Sequence, residues 1–176
     1  MTTYTLSRTS PRNTVLTAPD GNVAYKISTP FALKDANTTI TRADESDVVA
    51  VIHWNALRKN ELTMKGTTVR VDDVFPKTKR LNLGSRSRVY TTADGEKFEW
   101  KYTIRLYCIS ELTGLNIATY YRILFVGLRG KKSTLDIAPS ALHLSDILVV
   151  TWAIMEGERG RLGCLSPESE SVLQIC

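Results

Sequence analysis

Only a handful of side chains in this 176-residue chain could do chemistry, and their spacing assembles them into no recognisable centre. There are two histidines, His53 and His143, and no HExxH, GxSxG, P-loop or Cys/His metal spacing. His53 precedes Trp54 at the end of a β-forming run, and His143 lies in the approach to an apolar segment, so each reads as a packed or surface histidine. Cys108 would be a nucleophile beside a histidine, but within a β run it reads better as a small buried hydrophobe. The adjacent acids Asp72-Asp73 and Asp44-Glu45 would project to opposite faces of a strand, which suits loops better than paired-carboxylate catalysis. No cofactor or metal is expected, and an enzyme would need groups converging from distant strands.

Charge is more informative. Lys77, Lys79, Arg80, Arg86 and Arg88 fall in one stretch without an acid, a local charge equal to the formal net +5 of the whole chain. Arg129, Lys131 and Lys132 form a second cluster around Gly130. Loops of this kind attract phosphates on lipid headgroups or nucleic acid. A solvated loop that aids solubility is the plainer alternative.

The elements that must carry these groups are mostly strands. With 43% hydrophobic and 23% charged residues the chain is globular in composition, and its length suits one domain. From residue 2 to about 137, short runs rich in Thr, Val, Ile and Tyr alternate with Gly, Asp, Asn and Pro. Strands are expected at Thr2 to Ser7, Asn13 to Thr17, Asn22 to Thr29, Thr38 to Arg42 and Asp47 to Trp54. Val48 to Ile52 within the last is nearly continuously apolar, as in a strand covered on both faces. Glu61 to Val71 follows, broken at Gly66, and then Arg88 to Thr92 and Lys97 to Tyr102 joined by an Ala93-Asp94-Gly95 turn. Phe98, Trp100 and Tyr102 share one face of that hairpin. Ile104 to Ile109, Asn116 to Arg122, Ile123 to Gly127 and Ser133 to Ile137 complete the set.

Ile147 to Met155 differs in kind, with Thr151 its one polar position. On a helix such a run points apolar groups in every direction and must be enclosed. Nine residues rise only about 14 Å, too little for a hydrocarbon core of roughly 30 Å. Ser145-Asp146 would supply the N-terminal cap and first-turn acid, and Gly157 with Arg159, Gly160 and Arg161 would suit the C-terminus. Thr151 can return its hydroxyl to a carbonyl one turn back. The expectation is one domain over 1–160, with a central helix at about 145–158, and a tail over 161–176 in which Ser166-Pro167-Glu168 could start a short helix.

Cys108, Cys164 and Cys176 are odd in number and form no CxxC pair, so reduced thiols and a cytoplasmic or nuclear setting are expected. The first residues show no signal-peptide pattern. Asn37-Thr38-Thr39 reads as a threonine-rich strand rather than a glycosylation site, and no prenylation signal or lipid anchor is evident.

Ser10-Pro11-Arg12-Asn13-Thr14, Tyr25 to Pro30, Arg88 to Gly95 through Trp100, and Asp146 to Glu156 together resemble a fungal family of unknown function abundant in mushroom-forming species. The resemblance extends to the tubby, LURP-one and phospholipid-scramblase group. It implies a mainly β fold, an antiparallel tubby-like β-barrel of about twelve strands enclosing one hydrophobic C-terminal helix. No catalytic residues come with it, and tubby phosphoinositide-binding residues match no positions here.

The function expected is a non-catalytic binding module that meets an anionic membrane surface peripherally. The candidate headgroup contacts are Lys77, Lys79, Arg80, Arg86, Arg88, Arg129, Lys131 and Lys132. A protein-interaction or structural role without lipid affinity is the first alternative. Nucleic-acid binding would need aromatics such as Tyr90 free to stack beside the cations.

Overall fold

The computed structural model describes residues 1–31, 35–78, 86–123 and 131–163. Among the described residues twelve strands follow the expected order: β1 (Thr2–Leu6), β2 (Thr14–Thr17), β3 (Val23–Ser28), β4 (Ala36–Arg42), β5 (Val48–Trp54), β6 (Glu61–Met64) and β7 (Thr67–Arg70). After a single turn, α1 (Val71–Val74), come β8 (Arg86–Thr91), β9 (Lys97–Tyr102), β10 (Leu106–Ser110), β11 (Asn116–Tyr121) and β12 (Thr134–Ile137). A 3-10 turn at Pro139–Leu144 leads into α2 (Ser145–Gly163).

Gly66 does more than break a strand. Lys65 and Gly66 have φ of 48° and 76°, the paired positive values of a type I′ hairpin turn, so the run from Glu61 is two strands. The strand expected at Ile123 to Gly127 lies outside the described residues except for Ile123, which is not in a strand.

All pairings are antiparallel, in the order β7-β6-β5-β4-β3-β2-β1-β12-β11-β10-β9-β8. Neighbours in sequence are neighbours in the sheet, except that β1 pairs with β12, Thr2 opposite Ile137 and Thr5 opposite Thr134. β7 and β8, consecutive in the chain, are the two edges. The sheet is therefore not closed, and "barrel" describes it only loosely. Residues following α1 blunt one edge: the Thr78 N–H donates to the Ser87 carbonyl at 2.9 Å, and the Val89 N–H to the Pro76 carbonyl at 3.1 Å.

The sheet curls round α2, whose side chains touch strands on every side. Tyr25 of β3 reaches Asp146, Trp100 of β9 reaches Thr151, Tyr120 of β11 lies against Trp152, and Arg88 of β8 reaches Glu158. Ile147 through Met155 are all buried. The β-branched Val149, Val150 and Ile154 are indifferent helix formers, so enclosure rather than propensity holds this segment helical.

Around the helix the inward strand positions are buried, and Leu6, Leu16, Ile40, Ile52, Trp100 and Leu135 among them are 2% exposed or less. β5 corrects one expectation, because burial alternates along it and Val48 is 51% exposed. One helix can cover only the inner face of the sheet, so an apolar run here did not mean a strand covered on both sides.

α2 begins at Ser145 with Asp146 in its first turn, as expected, but its capping and its far end differ. Ser145 caps nothing; its hydroxyl donates to the Leu142 carbonyl at 2.6 Å, ending the 3-10 turn. The helix does not stop near residue 158 but runs to Gly163. Gly157 sits against the Trp54 indole, where the absence of a side chain, not a chain reversal, is what the fold requires. Residues 164–176, with the helix expected from Ser166, lie outside the described residues.

Candidate functional site

An up-and-down sheet sends alternate connections to opposite ends, and this one sorts charge as it does so. At the end where α2 terminates lie the links β1–β2, β3–β4, β5–β6, β7–β8, β9–β10 and β11–β12. Their described residues carry exposed Arg8 and Arg12, Arg58 and Lys59, Lys77, Arg105, and then Arg122, Lys131 and Lys132. Against these stand Asp35, Asp72 and Asp73. The links at the opposite end carry Asp20, Asp44, Glu45, Asp47, Asp94, Glu96 and Glu111, with Lys65 as their cation. The molecule is thus polarised along the strand direction, positive at one end and negative at the other.

That end holds a pocket of about 310 Å³ between β9, β10, β11 and the last turns of α2. The Arg105 guanidinium lies 5.1 Å from the Tyr121 ring centre, and that of Arg159 lies 4.7 Å from Tyr102. A guanidinium over an aromatic face keeps N–H groups available at its edges, and Arg159 directs one of them to Glu156. Glu156 forms the floor at 4% exposure, with Arg122 at 3.6 Å and Arg159 at 3.5 Å. Burial pushes its carboxyl up, while Arg159 and Arg122 oppose that shift. Three guanidinium groups against one carboxylate leave an excess of positive charge, suited to an oxyanion such as a phosphate. The Tyr120 phenol, also held up by burial, donates to the Thr9 carbonyl at 3.0 Å and is committed to structure.

A larger cleft of about 540 Å³ lies at the acidic end, over the start of α2, where the sheet edges part. Several of its charges are paired. Asp146 accepts from the Tyr25 hydroxyl at 2.8 Å and from Arg42, which also reaches Asp47 at 2.6 Å. The His143 ring is 3.5 Å from Glu96.

The basic residues singled out in the sequence separate into groups. Lys77, Lys131 and Lys132 are exposed at the basic end. Lys79, Arg80, Arg129 and the side chain of Arg86 lie outside the described residues. Arg88 is a correction: it is 2% exposed and faces inward opposite Trp100. Its fork meets Glu158 at 2.6 and 3.2 Å, Asp72 lies at 3.0 Å, and another N–H donates to the Phe75 carbonyl. A cation so enclosed links the edge strand to the helix and has nothing left for a headgroup.

Arg58, Lys59, Arg105, Arg122 and Arg159 were missed because they stand singly or in pairs, one connection apart. The usable signal was the regular alternation of strand and turn, which assigns every second link to one end.

The other chemical candidates do not meet. His53 bonds Asn37 at 3.0 Å and Thr63 at 2.9 Å on the outer face. Cys108 points inward, fully buried, its thiol pushed up by burial and then by the charge of Glu99. Among the described residues no group of His, Cys, Asp and Glu is placed to hold a metal ion. Tyr90 stacks on Phe98 at 5.3 Å with Phe75 at 6.4 Å, and it lines the cleft at the acidic end, away from the basic links. Among the described residues no helix is long and apolar enough to cross a membrane.

A family model described as "Family of unknown function (DUF6593)" matches residues 9–161. Among solved structures, the X-ray structure of a protein from Arabidopsis thaliana is similar at 13% identity and a TM-score of 0.31, with 85% of this chain and 88% of that one covered. No curated protein matches the chain.

Proposed function

We propose that the chain, which belongs to the DUF6593 family of unknown function, is a non-catalytic binding module that meets anionic phospholipid headgroups peripherally through its basic end. The observation that carries this reading is the sorting of charge between the two ends of the sheet. Lys77, Lys131 and Lys132 contribute flexible cations, and the pocket walled by Arg105, Arg122 and Arg159 offers a fixed place for one phosphate. The interior is filled by α2, which leaves the ligand no place but the periphery.

Kinship with the tubby, LURP-one and phospholipid-scramblase group belongs to the same reading, supported by twelve antiparallel strands about one apolar helix among the described residues, and a fungal source rests on the sequence resemblance alone. So does a cytoplasmic setting, which the unpaired, buried Cys108 favours. Candidate contacts at Lys79, Arg80, Arg86 and Arg129 are retained on sequence alone; Arg88 is not.

Co-sedimentation with vesicles of neutral and of anionic lipid, at low and physiological salt, tests the proposal. A Lys or Arg near an anionic surface contributes about 1 kcal/mol. Changing Lys77, Lys131 and Lys132 together to glutamine should therefore weaken binding roughly a hundredfold, while Lys65→Gln at the opposite end leaves it unchanged. Wild-type protein that ignores anionic vesicles even at low salt would sink the proposal and leave a protein partner as the reading.

A further inference from the structure

Three large apolar side chains stand almost free of the fold: Phe31, Leu57 and Ile104 are 91%, 98% and 94% exposed. They occupy the links β3–β4, β5–β6 and β9–β10, so all three project from the basic end. Two of them have cations beside them in the chain, and the third is tied to a link that carries one. Leu57 is followed by Arg58 and Lys59, and Ile104 by Arg105. The turn before Phe31 is tied to Arg12 by the Thr29 hydroxyl, which donates to the Arg12 carbonyl at 2.6 Å. The first two links are joined, the Ala56 N–H donating to Asp35 Oδ1 at 2.9 Å. Ile104 also lines the arginine-walled pocket, so one link presents an apolar tip beside a phosphate-sized basic recess.

We infer that Phe31, Leu57 and Ile104 enter the interfacial layer of an anionic bilayer while the surrounding arginines and lysines hold its headgroups. This rests on the binding reading above and specifies how the bilayer is gripped. Exposed apolar side chains also occur at the acidic end, where Val48 and Leu142 are 51% and 40% exposed, so the nearness of tips to cations, and not exposure alone, carries the inference. The same tips in water lie against nothing, whereas insertion removes their surface from water. Leu112 and Leu115 are also exposed, at 86% and 66%, but they follow Glu111 at the acidic end, which an anionic surface repels. They provide an internal control. Interleaved tips and cations match the chemistry of the bilayer interface, where apolar groups sit just below anionic headgroups.

The test uses the full chain with vesicles of phosphatidylcholine and phosphatidylserine. A variant carrying Phe31→Ser, Leu57→Ser and Ile104→Ser should bind at least tenfold more weakly and lose the part of binding that resists high salt. Leu112→Ser with Leu115→Ser should bind as wild type. Tryptophan placed by Leu57→Trp or Ile104→Trp should shift to the blue on binding and be quenched by brominated lipid. Trp54, Trp100 and Trp152 are buried and supply a constant background. If the wild type binds anionic vesicles but the serine variant binds equally and no quenching occurs, insertion is wrong and headgroup binding stands. If the wild type binds no vesicle, both fall together.

Discussion

The Trp100 ring N–H donates to the Thr151 hydroxyl at 2.8 Å, and that hydroxyl donates in turn to the Ile147 carbonyl at 2.7 Å. One oxygen thus satisfies a strand side chain and a helix turn where neither can reach water. Thr151→Val keeps the shape and removes the acceptor, leaving the indole N–H orphaned; the cost should be about 1–3 kcal/mol in urea unfolding. Thr151→Ser, which retains the oxygen, should lose less than half as much.

Gly157 and Trp54 make a second such pair. A Cβ on residue 157 would lie 2.6 Å from two Trp54 ring carbons, and the ring is pinned by its N–H donating to the Thr38 hydroxyl at 2.7 Å. Gly157→Ala gains about 1 kcal/mol of helix propensity and incurs about 1–3 kcal/mol of overpacking. Net destabilisation is expected. In a Trp54→Phe background, whose smaller ring withdraws those carbons, the same change should be neutral or stabilising, a coupling that a double-mutant cycle measures directly.

Arg88 and Lys77 face each other across an isolated bridge yet should behave oppositely. Arg88→Met strands Glu158, Asp72 and the Phe75 carbonyl, and should cost about 3 kcal/mol. Arg88→Lys cannot restore the fork and should recover only part of it. Lys77→Gln should change stability by less than about 0.5 kcal/mol while weakening vesicle binding. Chemical denaturation and co-sedimentation on the same samples separate the two roles.

Glu156 gives the pH dependence. Its folded carboxyl is held above the ordinary glutamate value by burial, so the folded state binds its proton more tightly than the unfolded state does. Stability from this group is accordingly greatest at low pH and declines as pH rises from the unfolded value through the folded one. Glu156→Gln should abolish that decline, and unfolding curves taken from pH 4 to 8 for the two proteins should converge at the acid end. A parallel pair of curves would show that Glu156 keeps its ordinary value.

Much of this fold is legible from sequence because it is built of local units. Asp94-Gly95 between alternating segments marks the β8–β9 hairpin, and the nine residues from Ile147 to Met155, whose Val and Ile would also suit a strand, read as an enclosed helix from their flanks. The extent of that helix was hidden, since Gly157 looks like a terminus until the Trp54 ring is seen beside it. Arg88 was misread for the same reason: its partner Glu158 is 70 residues away, and a cation in a basic stretch gives no sign that it turns inward. The basic end depends on strand order. Leu57-Arg58-Lys59 and Ile104-Arg105 are unremarkable apart, and only the alternation of links brings them to one surface.

The helix that fills the sheet is also the last described element of the chain. A ribosome adding roughly 5–20 residues per second spends on the order of ten seconds on the twelve strands before it. Through that interval the inward faces bearing Leu6, Leu16, Ile40 and Ile52 are a lining without contents, open to chaperones or to other nascent chains. Commitment to the native state must wait until residues 145–163 have left the exit tunnel. A chain stopped before them would be a sticky shell rather than a smaller version of the same domain.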